Sequence, residues 1–255
     1  HKESGLLGRF DKWFQRITHR YTNGVRYVMR HSMLAIGLIA AIVIGVANAS
    51  DEKRRAAGAD GSEPIADALI NFRLDDGSAL GDVEAATQML AVFIGATETV
   101  PKVTATGLWH LSRHPDQLAA VRADLDANVP VAREEIIRYS APAQWFARTV
   151  RHPYEIHGVT LQPGQRVIAL LGSAARDERE YPDPDSFIWN RPIERLLSFG
   201  HGQHFCLGVH VARLEVTIMI QEFLKRVPDY RIAADQASRP PSSFQWGWNN
   251  IPVEV

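Results

Sequence analysis

The 255 residues contain one cysteine, Cys206, and it stands in the stretch 198–208, "SFGHGQHFCLG", with His201, His204 and His210 close by. A single thiol forms no internal disulfide, so nothing here is built for an oxidising compartment. Three readings of it stand: a small buried hydrophobe, a nucleophile paired with a histidine, or a metal ligand. A zinc site would want more cysteines. Gly200 and Gly202 let the backbone turn tightly and pass close beneath a flat object, and Gly208 leaves room just past the thiol. The stretch 207–227, "LGVHVARLEVTIMIQEFLKRV", has apolar residues at helical spacing, which places Cys206 at the mouth of a helix. Free backbone N–H groups and the positive end of the helix dipole favour thiolate there, and that suits a metal ligand.

Other elements must position that loop. The stretch 82–112 is apolar on more than one face, as expected of a long buried helix, with Gly95 and Pro101 predicting a kink or widening near residues 95–99. A second helix is expected through "LAAVRADL" and a short third through "AREEIIRYS", ended by Pro142. Alternation, β-branched residues and Gly/Pro turns in 148–171 predict a small β-sheet. Residues 172–205 are rich in Pro, Asp and Gly and show no period, and there are no internal repeats. The fold class expected is mainly α with a small sheet. With 45% hydrophobic and 22% charged residues the composition is that of a globular chain.

Residues 1–50 differ from the rest. Seven basic residues face only Glu3 and Asp11, a net of +5, although the whole chain nets -1. The stretch 33–47, "MLAIGLIAAIVIGVA", is uncharged and follows "RYVMRHS", as a membrane helix does, but it is short for a span. A buried core helix and an export signal ending near Ala47-Asn48-Ala49 are the alternatives. The segment "GRFDKWFQRITHRYTNGVRYVMRHSMLAIGLIAAIV" resembles the entry to a membrane helix in resistance-nodulation-division efflux permeases, and nothing after Ser50 continues that pattern. Residues 51–63 read as a linker, which gives an organisation of 1–50, 51–63 and 64–255.

"FGHGQHFCLG" resembles the haem-binding signature of cytochrome P450 enzymes, Phe-x-x-Gly-x-x-x-Cys-x-Gly, at every fixed position: Phe199, Gly202, Cys206 and Gly208. Three further blocks follow that family's order. "GATETV" is similar to its oxygen-activating helix segment, with Glu98 and Thr99 as acid and alcohol; "EIIR" supplies the Glu135 and Arg138 pair; "PDPDSFIWNR" supplies a second arginine, Arg191. Read without the family, Thr99 is a threonine bonding back to its own turn, and Glu135 and Arg138 are a helix-surface ion pair.

The resemblance implies haem b with Cys206 as its axial iron ligand, and a thiolate there favours O–O cleavage. It implies that Glu98 and Thr99 deliver protons, that Arg148 and His204 contact the haem propionates through charge-assisted bonds, and that Glu135, Arg138 and Arg191 lock the core beneath. Gly95, Ala96, Trp145, Phe146, Phe244 and Trp246 match cavity-lining positions, and their apolar character implies a hydrophobic small-molecule substrate. Electrons would come from NAD(P)H through a separate, ferredoxin-type partner, because the chain has neither a dinucleotide fingerprint nor an iron-sulfur cysteine set. No nucleic-acid partner is expected. The haem part is expected in the cytoplasm, with membrane contact through 33–47. Residues 54–255 correspond to the C-terminal half of a complete member. That leads us to expect exposed aromatic residues and impaired turnover, and the alternatives are a non-catalytic haem-binding remnant or a chimeric fragment with a membrane-anchoring N-terminus.

Overall fold

The computed structural model describes residues 64–255 and divides the chain into a unit ending at Phe93 and a second unit, Ile94–Val255. The expectations for residues 1–63 (basic lead, apolar stretch, linker) lie outside the described residues. Among the described residues no helix is long and apolar enough to cross a membrane.

In the first unit, helix α1 (Pro64–Asn71) leads to a tight turn closed by the Leu74 N–H on the Ser78 carbonyl, where Gly77 takes a left-handed φ of 82°. Helix α2 (Asp82–Arg113) then begins, and the Glu84 carboxylate reaches back to the Gly81 N–H at 3.0 Å, one half of a capping box. Helix α2 runs unbroken into the second unit, through Gly95 and Pro101, with no wider turn where one was expected. Side-chain bonds to its carbonyls, Thr99 Oγ1 to Gly95 at 2.9 Å and Thr106 Oγ1 to Lys102 at 2.8 Å, accompany the missing proline donor. Its burial also differs from expectation. The C-terminal part buries Val100, Val103, Leu108 and Leu111, whereas Val92, Phe93 and Ile94 are exposed.

The core of the second unit lies between four helices. Helix α3 (Pro115–Ala123) starts on a proline, which forfeits no helical bond at that position. Helix α4 (Leu125–Ser140) is longer than expected: Asp124 Oδ1 accepts from the Asp126 and Ala127 amides at 3.1 and 3.0 Å, so the cap starts the helix ahead of Pro130. Helix α6 (Val209–Arg226) completes the set and buries Val216, Ile220 and Leu224 against Val121, Val129 and Ile136. Gly107 lets α2 approach α4 closely, since a Cβ there would stand 2.8 Å from Ile136 Cδ1. Arg122 of α3 closes the far end of α6 by donating to the Leu224 and Val227 carbonyls at 3.3 and 3.0 Å.

The small sheet expected over 148–171 is two separate two-stranded ladders, and among the described residues a third, not expected, pairs strands near the C-terminus. Strands β1 (Trp145–Thr149) and β4 (Arg166–Leu170) pair antiparallel, with Arg148 opposite Val167. Between them in sequence, β2 (Tyr154–Ile156) and β3 (Val159–Leu161) form a hairpin. Its two turn residues, His157 and Gly158, both have positive φ, 49° and 76°, the geometry that matches strand twist. The short helix α5 (Leu171–Ala174) follows β4, and β5 (Arg231–Ile232) pairs with β6 (Val253–Glu254) near the C-terminus.

His110 packs against Phe187 and Tyr139, with ring centroids 5.3 and 4.5 Å away. Burial first, and then the nearby charges of His114, Arg176, Arg239 and Arg113, push its pKa down to about 4. The folded state therefore holds this imidazole neutral, while the unfolded chain takes up a proton near 6.5. Stability from this group is present above that value and is lost as the pH falls toward 4. In urea unfolding measured across that window, His110→Phe is expected to flatten the decline relative to the parent chain; parallel curves would contradict this.

Candidate functional site

Two short 3₁₀ turns, Leu197–Phe199 and Gly202–His204, carry the chain to Cys206. They require Gly200 and Gly202, whose φ values of 74° and 71° are left-handed and strained for other residues. A Cβ on Gly200 would in addition meet the His204 carbonyl oxygen at 3.4 Å. The loop is closed by the Cys206 N–H donating to the Phe199 carbonyl at 2.9 Å, and the Val209 N–H meets the Cys206 carbonyl at 3.4 Å as α6 begins. Cys206 thus stands three residues before the first helical position and is half-buried. Helix α6 starts with no side-chain cap and no acidic residue in its first turn, so its N-terminal field is not cancelled locally.

Glu135, Arg138 and Arg191, the three that the motif order groups, meet in one buried network. Arg138 uses all five of its donors: Nε and Nη2 clamp the Glu135 carboxylate at 2.6 and 2.8 Å, and the rest reach the Ala175, Pro184 and Ser186 carbonyls. Glu135 also accepts from Arg191 Nε at 3.3 Å and the Ile188 N–H at 2.9 Å. Arg191 in turn donates to the Pro182, Asp183 and Ser186 carbonyls. These contacts tie α4 to the irregular 172–205 segment. The surface ion-pair reading is set aside for Glu135 and Arg138, since both side chains are 0% exposed.

The acid and alcohol of α2 are both engaged. Thr99 is half-buried and donates to the carbonyl one turn back, as a lone helical threonine does. Exposed Glu98 pairs with Lys102 one turn on, a partner that sequence inspection missed although the i, i+4 spacing signals it. Arg148 is exposed on β1, with its guanidinium on the neighbouring Ala147 carbonyl at 2.9 Å, and His204 is exposed in the loop.

Of the lining set, Trp145, Phe146 and Phe244 come together, with the Trp145 and Phe146 rings edge-on to Phe244 at 5.4 and 5.6 Å. Trp246 does not join them by a ring contact; its face is covered by the Arg239 guanidinium at 3.9 Å, which also covers Trp248. Phe146 and Trp246 are 44% and 42% exposed, in keeping with the exposed aromatics expected from sequence. Gly95 and Ala96 are exposed on α2, and a shallow groove of 380 Å³ between α2 and α6 takes in Ala96, Val100, Ile218 and Met219 but none of Cys206, Thr99 or Arg148.

The residues present fit haem. Positions Gly95 and Gly208 have open space where a Cβ would stand, exposed Phe205 and Leu207 flank the thiol, and Arg148 and His204 are cations or hydrogen-bond donors of the kind carboxylates need.

Comparison with known proteins gives one family. Residues 32–247 match the description "Cytochrome P450", a span that takes in the apolar stretch 33–47. The Steroid C26-monooxygenase of Mycolicibacterium smegmatis is 36% identical over 203 residues, covering 79% of this chain and 49% of the relative. The Cytochrome P450 monooxygenase PikC of Streptomyces venezuelae is 37% identical over 182 residues, covering 70% and 42%. Among solved structures, Cytochrome P450 CYP109Q5 from Chondromyces apiculatus superposes with a TM-score of 0.73 at 32% identity, covering 87% of this chain and 56% of that one. CYP268A2 of Mycobacterium marinum, in complex with pseudoionone, gives 0.76 at 26% identity, covering 90% and 55%. The chain spans about half the length of the curated relatives it matches.

Proposed function

The chain belongs to the cytochrome P450 family, and from that footing we propose that it is a haem-thiolate monooxygenase with Cys206 as the iron ligand. The observation that carries the reading is the sole thiol, set on a glycine-turned loop at the start of α6 with its own amide bonded to the Phe199 carbonyl. Thiolate-bound haem supplies reductive activation of dioxygen: two electrons and two protons are consumed, one oxygen atom enters a C–H bond as hydroxyl and the other leaves as water.

The protein's own residues supply the rest. Cys206 presents its sulfur from the loop just ahead of the uncapped N-terminus of α6. Arg148 and His204 bind the propionates as cation and hydrogen-bond donor. Thr99 and Glu98 pass protons from solvent, with Lys102 holding the Glu98 carboxylate beside the helix. Glu135, Arg138 and Arg191 hold the irregular segment that leads into the Cys206 loop and would have a structural rather than a chemical part toward bound haem. The substrate is a hydrophobic small molecule packed on Phe146, Trp145 and Phe244, a class supported by the steroid named for one relative and the pseudoionone bound by another. Electrons come from NAD(P)H through a separate ferredoxin-type protein.

Haem-loaded chain supplied with a surrogate ferredoxin system and a panel of hydrophobic substrates tests the activity. In Thr99→Ala, haem content is expected to stay level while product formed per electron falls on the order of tenfold or more, the electrons appearing as peroxide. An unchanged ratio of peroxide to product would return Thr99 to its helix-bonding role alone.

A further inference from the structure

The function of Cys206 depends on the short loop that runs from Phe199 to the thiol, and a charged contact between α4 and α6 reaches that loop. Arg213 lies one turn into α6 and grips Glu134 of α4 with both edges of its guanidinium: Nε to Oε1 at 3.0 Å and Nη2 to Oε2 at 2.8 Å. Arg133 Nε donates to the same Glu134 Oε1 at 2.8 Å, and Arg133 Nη1 donates to Thr217 Oγ1 of α6 at 3.0 Å. The same Arg213 guanidinium lies over the Phe199 ring, 5.2 Å from its centroid, within cation–π range. Phe199 meets Phe205 edge-on at 6.5 Å, so its ring is bounded by the residue just before the thiol as well. Its carbonyl accepts the Cys206 N–H.

We propose that Arg213, oriented by Glu134, is a positioning residue for the thiol loop: it pins the Phe199 ring and thereby fixes the carbonyl that holds the Cys206 amide. The proposal rests on the reading of Cys206 as the haem ligand. A planar guanidinium alone can fork a carboxylate and stack on a ring with the same group, so lysine is no substitute at this position. The neighbouring Ser198 supplies a second tether to α4, its hydroxyl donating to the Ile137 carbonyl at 3.3 Å, and this keeps the loop attached when Arg213 is changed. Loss of the clamp therefore loosens the loop locally rather than unfolding the domain.

The sole cysteine makes this directly measurable in the whole chain without haem, as the rate at which iodoacetamide alkylates the thiol, alongside the unfolding midpoint. Arg213→Leu is expected to raise the alkylation rate on the order of tenfold through loop opening, Arg213→Lys to behave nearly as Arg213→Leu, and Glu134→Gln to fall between them and the parent. After haem loading, the same order is expected in the fraction of carbon-monoxide complex lacking the thiolate-type band. Glu134→Gln keeps the shape of the carboxylate and carries the comparison if Arg213→Leu does not fold. Alkylation rates and thiolate fractions equal to the parent's in Arg213→Leu and Glu134→Gln would overturn the proposal, as would a lowered midpoint with neither readout changed. A parent chain that shows no thiolate band defeats the Cys206 reading separately, and the alkylation series in the haem-free chain still decides whether the clamp governs the loop.

Discussion

Cys206→Ser is expected to abolish the thiolate-type absorption of the haem-loaded, reduced, carbon-monoxide-bound chain, while the unfolding free energy of the haem-free chain stays within about 0.5 kcal/mol of the parent. The two halves of that expectation have separate causes. A serine hydroxyl does not ionise near neutral pH, so the charged donor that distinguishes this ligation is gone. The fold, by contrast, uses the Cys206 backbone: its N–H bonds the Phe199 carbonyl and its carbonyl faces the first amide of α6, and both survive the substitution. Residual haem binding through His201, His204 or His210 would give an imidazole-type spectrum and is compatible with the account. A thiolate-type spectrum in the serine variant is not, since the chain holds no other cysteine.

Arg138→Met carries the largest expected loss of stability, about 3–5 kcal/mol, because it leaves a buried carboxylate with one of its two guanidinium partners and strips donors from three carbonyls. Against a total of about 5–15 kcal/mol for a domain this size, much of the folding free energy goes. The geometry explains why so much rests on one side chain: Glu135 and Arg138 are fully buried, Arg191 is 6% exposed, and the bonds join α4 to a segment with little regular structure of its own. Arg138→Lys is expected to recover only part of the loss, having three donors where five are used. Chemical unfolding followed by circular dichroism checks both. An Arg138→Met midpoint equal to the parent's would show that the carbonyls find other donors.

How far the sequence led depends on the range of the interactions involved. The loop around Cys206 was legible because its constraints are local: two glycines at positive φ and a helix start, close together along the chain. The meeting of Glu135, Arg138 and Arg191 was legible only through the family's motif order, since nothing in spacing says that residue 191 returns to residue 135. Helix α4 begins seven residues ahead of the "AREEIIRYS" stretch because Asp124 caps it there, and that cap outweighs the amide bond lost at Pro130. The sheet expected over 148–171 is two ladders because alternation reports strands and not which strands pair. Arg213 with Glu134, and the Arg239 cover over Trp246, escaped notice because each contact depends on how the chain folds back, and charge patterning sees only one helix face at a time. The exposure of Val92, Phe93 and Ile94 was likewise invisible, since a helix apolar on several faces reads as buried.

The most direct test of the central claim is the absorption spectrum of the purified chain, titrated with haem, reduced and exposed to carbon monoxide. The account predicts a saturable, red-shifted band of the thiolate type at a stoichiometry of about one haem per chain, the single thiol permitting no more. No haem uptake, or a spectrum of imidazole type alone, would contradict it.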